Sequence, residues 1–394
     1  MRKKILFVMP GLYGGGAEKS LINLLNLLDY SNYEVDLLLF KHEGLFLGQV
    51  PKEVNVMPIP ISLKYSFAPL DKEALKNIEA IKAGIIRIIG TAFSKLFYKK
   101  REKQARWEYF YIFSIKKLKG QYDVALAYLQ GESSYYVIDK VIAKKKYIWI
   151  HNDYDKLEGN DSFNKIYFEK ANGVISISDK CVEILKRTFP DLKNKFYMLP
   201  NLTSATFIRK LATESFPKEY VEGVPVLLSI GRLTRQKGFD FAIEVAAILK
   251  EKNILFKWFI IGTGELEKQL KTKINEKEVS DHIILLGARE NPYPYIKNCD
   301  ILVQTSRWEG KSVVLDEAKI LCKPIVVTNY PTVHDQIVDG KEGMIVSTNA
   351  EDIADGIQKM LEKEELRNGF SKYLEVHEYG NQDEIQKYID LIEM

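Results

Sequence analysis

KILFVMPGLYGGGAEKSLINLLNLLDYSNYEVDLLLF, Lys4 to Phe40, reads as strand, turn, helix and strand. KILFVMP is a short continuous apolar run and GLYGGGAEKS a glycine turn. SLINLLNLLD has a helical pattern, and YEVDLLLF is a second apolar run. This βαβ opening predicts parallel strands joined by a crossover helix, and so a doubly wound sheet. Further strands are expected at YDVALAYL (122–129), KYIWIH (146–151) and GVISIS (173–178).

The pattern then restarts. VPVLLSIGRL is strand plus turn, GFDFAIEVAAILKEK a helix, and FKWFIIGTG strand plus glycine turn; HIILLG, DILVQTS and KPIVVTN continue the strands. Between the halves, LPNLTSATFIRKLATESFPKEYVEG has proline, polar residues and no clear period. The expected organisation is an α/β chain of two Rossmann-like doubly wound domains facing across a cleft. They span residues 1–200 and 224–375, joined by a linker at 201–223. A C-terminal helix at 376–394 could pack back on the first domain. Ligands of such sheets bind beyond the carboxyl ends of strands, so the strand-to-helix turns are where chemistry is expected.

Length and composition agree with this division. A chain of 394 residues exceeds one ordinary core, and 46% hydrophobic with 28% charged residues describes a globular protein. The formal charge of +4 is too small to imply nucleic acid. Residues 81–120 nevertheless hold eleven lysines and arginines against two glutamates, a surplus of nine positive charges. Cys181, Cys299 and Cys322 are far apart and lack metal or redox spacing, so buried thiols in a reducing cytoplasm are expected. The start MRKKILFVMPG imitates a signal peptide, but its apolar run Ile5–Met9 is too short for one. No stretch is long and apolar enough for a membrane span, and a cytoplasmic location is expected.

Five turns carry candidate chemistry. In GLYGGGAE, Gly14, Gly15 and Gly16 let backbone N–H groups approach an anion at a helix N-terminus, although the dinucleotide spacing G-x-G-x-x-G fails. IGRLTRQKGFD (230–240) places Arg232 and Lys237 five apart in the corresponding turn of the second half. From there both could converge on one anion, with a diphosphate as the natural target. IIGTGEL (260–266) is another strand-end glycine turn, and WIHNDYD puts His151 at the end of an apolar strand. Asp153-Tyr154-Asp155 resembles a metal-binding D-x-D, but no second acidic cluster accompanies it, so no metal is expected.

SRWEGKSVVLDEA, Ser306 to Ala318, places Glu309 in a turn and Glu317 inside the following helix, eight positions apart. Two acids on one helix face would be three or four apart. Here Gly310, Lys311, Ser312 and Val313 lie between them and offer N–H groups at the helix start. Such a loop could hold an extended ligand, with an anion at the N-terminus and hydroxyls at each carboxylate.

The E-x7-E pattern after a strand, the R-x4-K turn, the GGAE-type first loop and the strand-end His-Asn occur here in the order of retaining glycosyltransferase family four. The chain resembles that family from about Lys4 to about Ser347, and most closely its bacterial capsule, O-antigen and cell-wall polysaccharide enzymes. The resemblance implies the GT-B fold and sugar transfer from a nucleotide donor, a UDP-sugar being expected, with retention and without a metal or other cofactor. It implies that Glu309 contacts the donor sugar and Glu317 the ribose hydroxyls. Arg232 and Lys237 would hold the diphosphate, and His151 would stand beside the transferred sugar. N–H groups of Gly15, Gly16, Lys311, Ser312 and Val313 would add phosphate or sugar contacts, with Gly231, Gly262, Gly264 and Gly310 also on the donor side. Lys311 and Ser312 depart from the common E-G-F-G-L, a difference that bears on donor identity rather than reaction class. Alternatives are a GT-B sugar-nucleotide epimerase and a non-catalytic membrane-associated partner subunit.

The basic segment adds one expectation. On a helical wheel Ile81, Ile85, Ile88, Ile89, Ala92, Phe93 and Leu96 share a face, opposite Arg87, Ser94 and Arg101. Such a helix suits an anionic inner-membrane surface, useful for a glycan or lipid-linked acceptor, or else packs its apolar face on the first domain.

Overall fold

The computed structural model describes residues 2–152, 154–157 and 159–394, without the side chain of residue 156. The chain forms two compact units, one running to Thr203 and including Gln382–Met394, the other Ser204–Asn381. The first holds seven parallel strands: β1 (Lys3–Met9), β2 (Tyr33–Leu39), β3 (Asn55–Val56), β4 (Tyr122–Ala127), β5 (Ala143–Ile150), β6 (Gly173–Ser176) and β7 (Phe196–Met198). Their order is β3-β2-β1-β4-β5-β6-β7. Helices cover the sheet, so β1 has no polar face: Ile5 to Met9 are all fully buried. The C-terminal helix Ile385–Glu393 belongs to this unit. Tyr388 stacks on Trp149 and donates to the Pro200 carbonyl at 2.7 Å.

The second unit repeats the plan with β8 (Val226–Ile230), β9 (Lys257–Ile261), β10 (Ile283–Gly287), β11 (Ile301–Gln304), β12 (Ile325–Thr328) and β13 (Met344–Val346). All are parallel, in the order β10-β9-β8-β11-β12-β13. In both sheets the order reverses beside the first strand, between β1 and β4 and between β8 and β11. Crossovers leave that point in opposite directions, which opens a crevice at the strand ends.

One expectation is corrected, and of the two alternatives for the basic helix one is excluded. Residues 201–223 are not a featureless connection, because Ser204 caps the Phe207 N–H and starts a helix, Ala205–Leu211. Ala205, Ile208 and Leu211 pack into the second unit's core with Tyr220, Leu228 and Ile296. The helix Ile78–Phe97 does not bury its isoleucine face on the first unit. Its buried positions are Ala80, Ala83, Gly84, Gly90 and Ser94, small residues that allow close approach, while Ile85, Ile88, Ile89 and Leu96 are exposed. Cys181 and Cys299 are buried, and Cys322 is partly exposed.

Candidate functional site

At the reversal point of the second sheet, the turns leaving β8 and β11 are laced together. Gly238 has left-handed backbone (φ 65°), and a Cβ there would stand 2.1 Å from the Thr305 carbonyl oxygen, so only glycine permits the approach. Thr305 Oγ1 donates to the Lys237 carbonyl (3.0 Å), and the Arg307 N–H donates to the Gln236 carbonyl (2.8 Å). Arg307 forks onto both oxygens of Asp240 at 2.8 and 2.6 Å, donates to the Arg235 carbonyl and lies over the Phe241 ring. Burial pushes the Asp240 carboxyl up, but the Arg307 fork and charge outweigh it and hold the group below its ordinary range.

This lacing brings Lys237 and Glu309 together. Lys237 Nζ donates to Glu309 Oε1 at 2.6 Å, with side chains only 16% and 7% exposed. Ser306 Oγ donates to the same oxygen (2.7 Å), and Gln236 Nε2 donates to Glu309 Oε2 and to the Trp308 carbonyl, both at 3.0 Å. The first acid of E-x7-E is thus a nearly buried carboxylate with three donors. Arg232 is exposed, and its side chain has no ion-pair partner among the described residues. It shares no partner with Lys237.

The adjoining glycines clear the floor. Gly262 (φ 151°) approaches Gly231 so closely that a Cβ would sit 1.9 Å from the Gly231 oxygen. At Gly264 a Cβ would meet the Leu233 backbone at 2.5 Å. Glu317 lies in the helix Val313–Ile320, 1% exposed, and accepts from the Tyr293 hydroxyl at 3.1 Å. Burial, then the Glu317 carboxylate, push the Tyr293 hydroxyl well above its usual range, so it stays a donor. At the helix start the expected ligand contacts differ in their present partners. The Ser312 N–H is already taken by Gln336 Oε1 (2.7 Å), and Gln336 Nε2 returns to the Ser312 carbonyl (3.0 Å). The N–H groups of Gly310 and Lys311 have no such acceptor among the described residues.

In the first unit, Gly15 precedes the helix Gly16–Leu27 with extended backbone, and a Cβ on Gly16 would meet nothing. Steric need therefore does not explain both glycines. His151 follows β5 and is buried, with ring Nε2 3.0 Å from the Tyr128 carbonyl and its backbone N–H donating to Gln130 Oε1. A carbonyl can only accept, so Nε2 carries the proton. Burial lowers its pKa to about 4, against smaller opposing effects of the Tyr128 carbonyl and Asn201, so the ring is neutral near pH 7. Of the D-x-D, Asp153 lies outside the described residues, and Asp155 pairs with Arg187 at 2.7 Å. Among the described residues no group of three or more His, Cys, Asp or Glu could hold a metal ion, and no helix is long and apolar enough to cross a membrane.

Residues 212–376, nearly the whole second unit, match the model of glycosyl transferases group 1. The second unit is thus similar to that family. An uncharacterized glycosyltransferase of Methanocaldococcus jannaschii is 28% identical over 280 residues, 60% of this chain and 69% of that one. The N-acetylgalactosamine-N,N'-diacetylbacillosaminyl-diphospho-undecaprenol 4-alpha-N-acetylgalactosaminyltransferase of Campylobacter jejuni is 24% identical over 372 residues, 94% of this chain and 93% of that one. Among solved structures, HepE of Anabaena in complex with UDP and glucose matches with TM-score 0.62 at 16% identity, over 99% of this chain and 98% of that one. The shared architecture is the GT-B fold of two Rossmann-like units.

Sequence reasoning named Lys237, Glu309 and Glu317, and passed over what fixes them: Gly238, Gln236, Asp240, Ser306, Arg307 and Tyr293. Several lie inside the quoted motifs, but their signal is a contact between two turns about 70 residues apart.

Proposed function

We propose that the chain is a retaining, metal-independent glycosyltransferase. It would move a sugar from a nucleotide donor, a UDP-sugar, to a glycan or lipid-linked acceptor in bacterial surface polysaccharide synthesis. The observation that carries the reading is the Lys237–Glu309 pair at the reversal point of the second sheet, inside the region matched to glycosyl transferases group 1. The diphospho-undecaprenol in the name of the Campylobacter relative supports a lipid-linked acceptor.

When the donor's anomeric C–O bond breaks, the electron pair leaves with the diphosphate and the anomeric carbon becomes electron-poor. Lys237, Arg232 and the N–H groups at Gly310 and Lys311 would meet the negative charge. Glu309 would accept from sugar hydroxyls, and Glu317, oriented by Tyr293, from the ribose. The acceptor hydroxyl attacks from the departing group's own face, and its proton passes to the leaving phosphate oxygen. Configuration is thereby retained.

The test is thermal unfolding against UDP-, GDP-, ADP- and dTDP-sugars without added metal, followed by assay of the stabilising donor with and without lipid-linked acceptors. A ligand at 100 times its Kd adds about 2.7 kcal/mol, a readily seen shift. A selective shift and acceptor-dependent release of nucleotide are expected. No shift with any donor, or donor conversion without acceptor, rejects the reading.

A further inference from the structure

The helix Ile78–Phe97 seats itself with its small residues. A Cβ on Gly84 would stand 2.7 Å from the Leu70 side chain, and one on Gly90 3.1 Å from Phe110. Its opposite face carries Ile78, Ile85, Ile89 and Leu96 at helical intervals, flanked by Ile88 and Phe97, and about half or more of each side chain is exposed. Phe113, in the neighbouring turn Ile112–Ser114, is 82% exposed. Isolated apolar residues on a surface need no explanation, but a continuous strip of this length marks a surface that something covers.

The charges beside the strip say what covers it. Lys82, Lys95, Lys99 and Lys100 are exposed and have no carboxylate partner among the described residues. Arg101 lies over the Tyr98 ring and reaches the Tyr109 hydroxyl, so two amphipathic rings border the strip. A second copy would set the same surplus of positive charge against this one. An anionic lipid surface accepts both features, with apolar side chains below the headgroups and lysines among them. We propose that this face docks on an anionic membrane, with Ile85, Ile89, Leu96 and Phe97 entering the headgroup–acyl boundary and Lys82, Lys95, Lys99 and Lys100 engaging the headgroups. Attachment then has an apolar component and not charge alone. The proposal goes beyond sugar transfer and does not depend on it.

The test is co-sedimentation of the full chain with phosphatidylcholine vesicles, plain or doped with phosphatidylglycerol, without any sugar nucleotide. Failure here therefore leaves the transfer reading untouched. Binding is expected only to the anionic vesicles. Neutralising Lys82, Lys95 and Lys99 to glutamine should weaken partitioning about fivefold per cation. Replacing Ile85, Ile89 and Leu96 by serine, all exposed and so neutral to folding, should weaken it at least about tenfold with the charge intact. Leu96→Trp, an independent reporter, should blue-shift on the same vesicles. The proposal is overturned by absence of binding at low salt, by wild-type binding of the serine variant, or by an unshifted tryptophan. Lipid-free dimerisation that the serine variant abolishes would likewise overturn it, assigning the face to a second copy.

Discussion

A nucleoside diphosphate that recruits Lys237 must compete with Glu309, and this fixes a sign. Glu309→Gln keeps the side chain's size and an oxygen for Ser306 Oγ, but removes the charge that holds Lys237 at 2.6 Å. Two unit charges about 4 Å apart interact by about 4 kcal/mol at an effective dielectric of about 20. The net competition is smaller, because Glu309 keeps Gln236 and Ser306 as donors and Lys237 reaches some solvent. About 1.4 kcal/mol remains, and Glu309→Gln is expected to tighten free UDP about tenfold. Lys237→Met removes the cation itself and should weaken UDP by at least that factor. Opposite signs at two directly bonded residues are not what general loosening of a loop produces. Calorimetric titration with UDP checks this, with sugar transfer expected to fall in both variants. If Glu309→Gln weakens UDP by about threefold or more, the competition argument is wrong.

Three further outcomes follow from the geometry. Arg307→Lys keeps the charge but loses the fork onto Asp240, so kcat/KM should fall about fivefold, mainly through donor KM, because the pair, 22% and 36% exposed, is worth only about 1 kcal/mol; unchanged donor KM would remove Arg307 from any positioning role. His151, with its folded pKa of about 4 below the ordinary 6.5, leaves the unfolded state binding more protons between those values. Stability present above about pH 6.5 should thus drain away, by about 3 kcal/mol, as pH falls to 4. His151→Gln should flatten that slope in urea titrations, and an equally steep slope in the variant refutes the assignment. Gly262→Ala must move the Gly231 carbonyl or abandon φ 151°, and should cost about 3 kcal/mol or more in the same assay; wild-type stability would show that the turn yields.

Legibility in the sequence tracked how local each cause is. Interior strands such as β1 and β11 read correctly because a parallel strand covered on both faces is a continuous apolar run. The short edge strands β3, β7 and β13, two or three residues each, leave no such run. The helix Ala205–Leu211 was missed because Thr206, Arg209 and Lys210 interrupt its apolar face, and only burial of Ile208 shows which side matters. The helix Ile78–Phe97 is a different case: its periodicity is legible in the sequence, which leaves open whether the apolar face is packed or exposed. The usual inference that the apolar face points inward assumes that the largest apolar residues do the packing. Gly84 and Gly90 reverse that here, because closeness to Leu70 and Phe110 is available only to residues without a side chain. The site divides along the same line. Lys237 and Glu309 stood out as chemical types in strand-end turns, whereas Gln236, Asp240 and Arg307 resembled ordinary surface polarity until the β8 and β11 turns met. A residue that acts on a ligand announces itself by its chemistry, but one that acts on another residue is visible only in the pair.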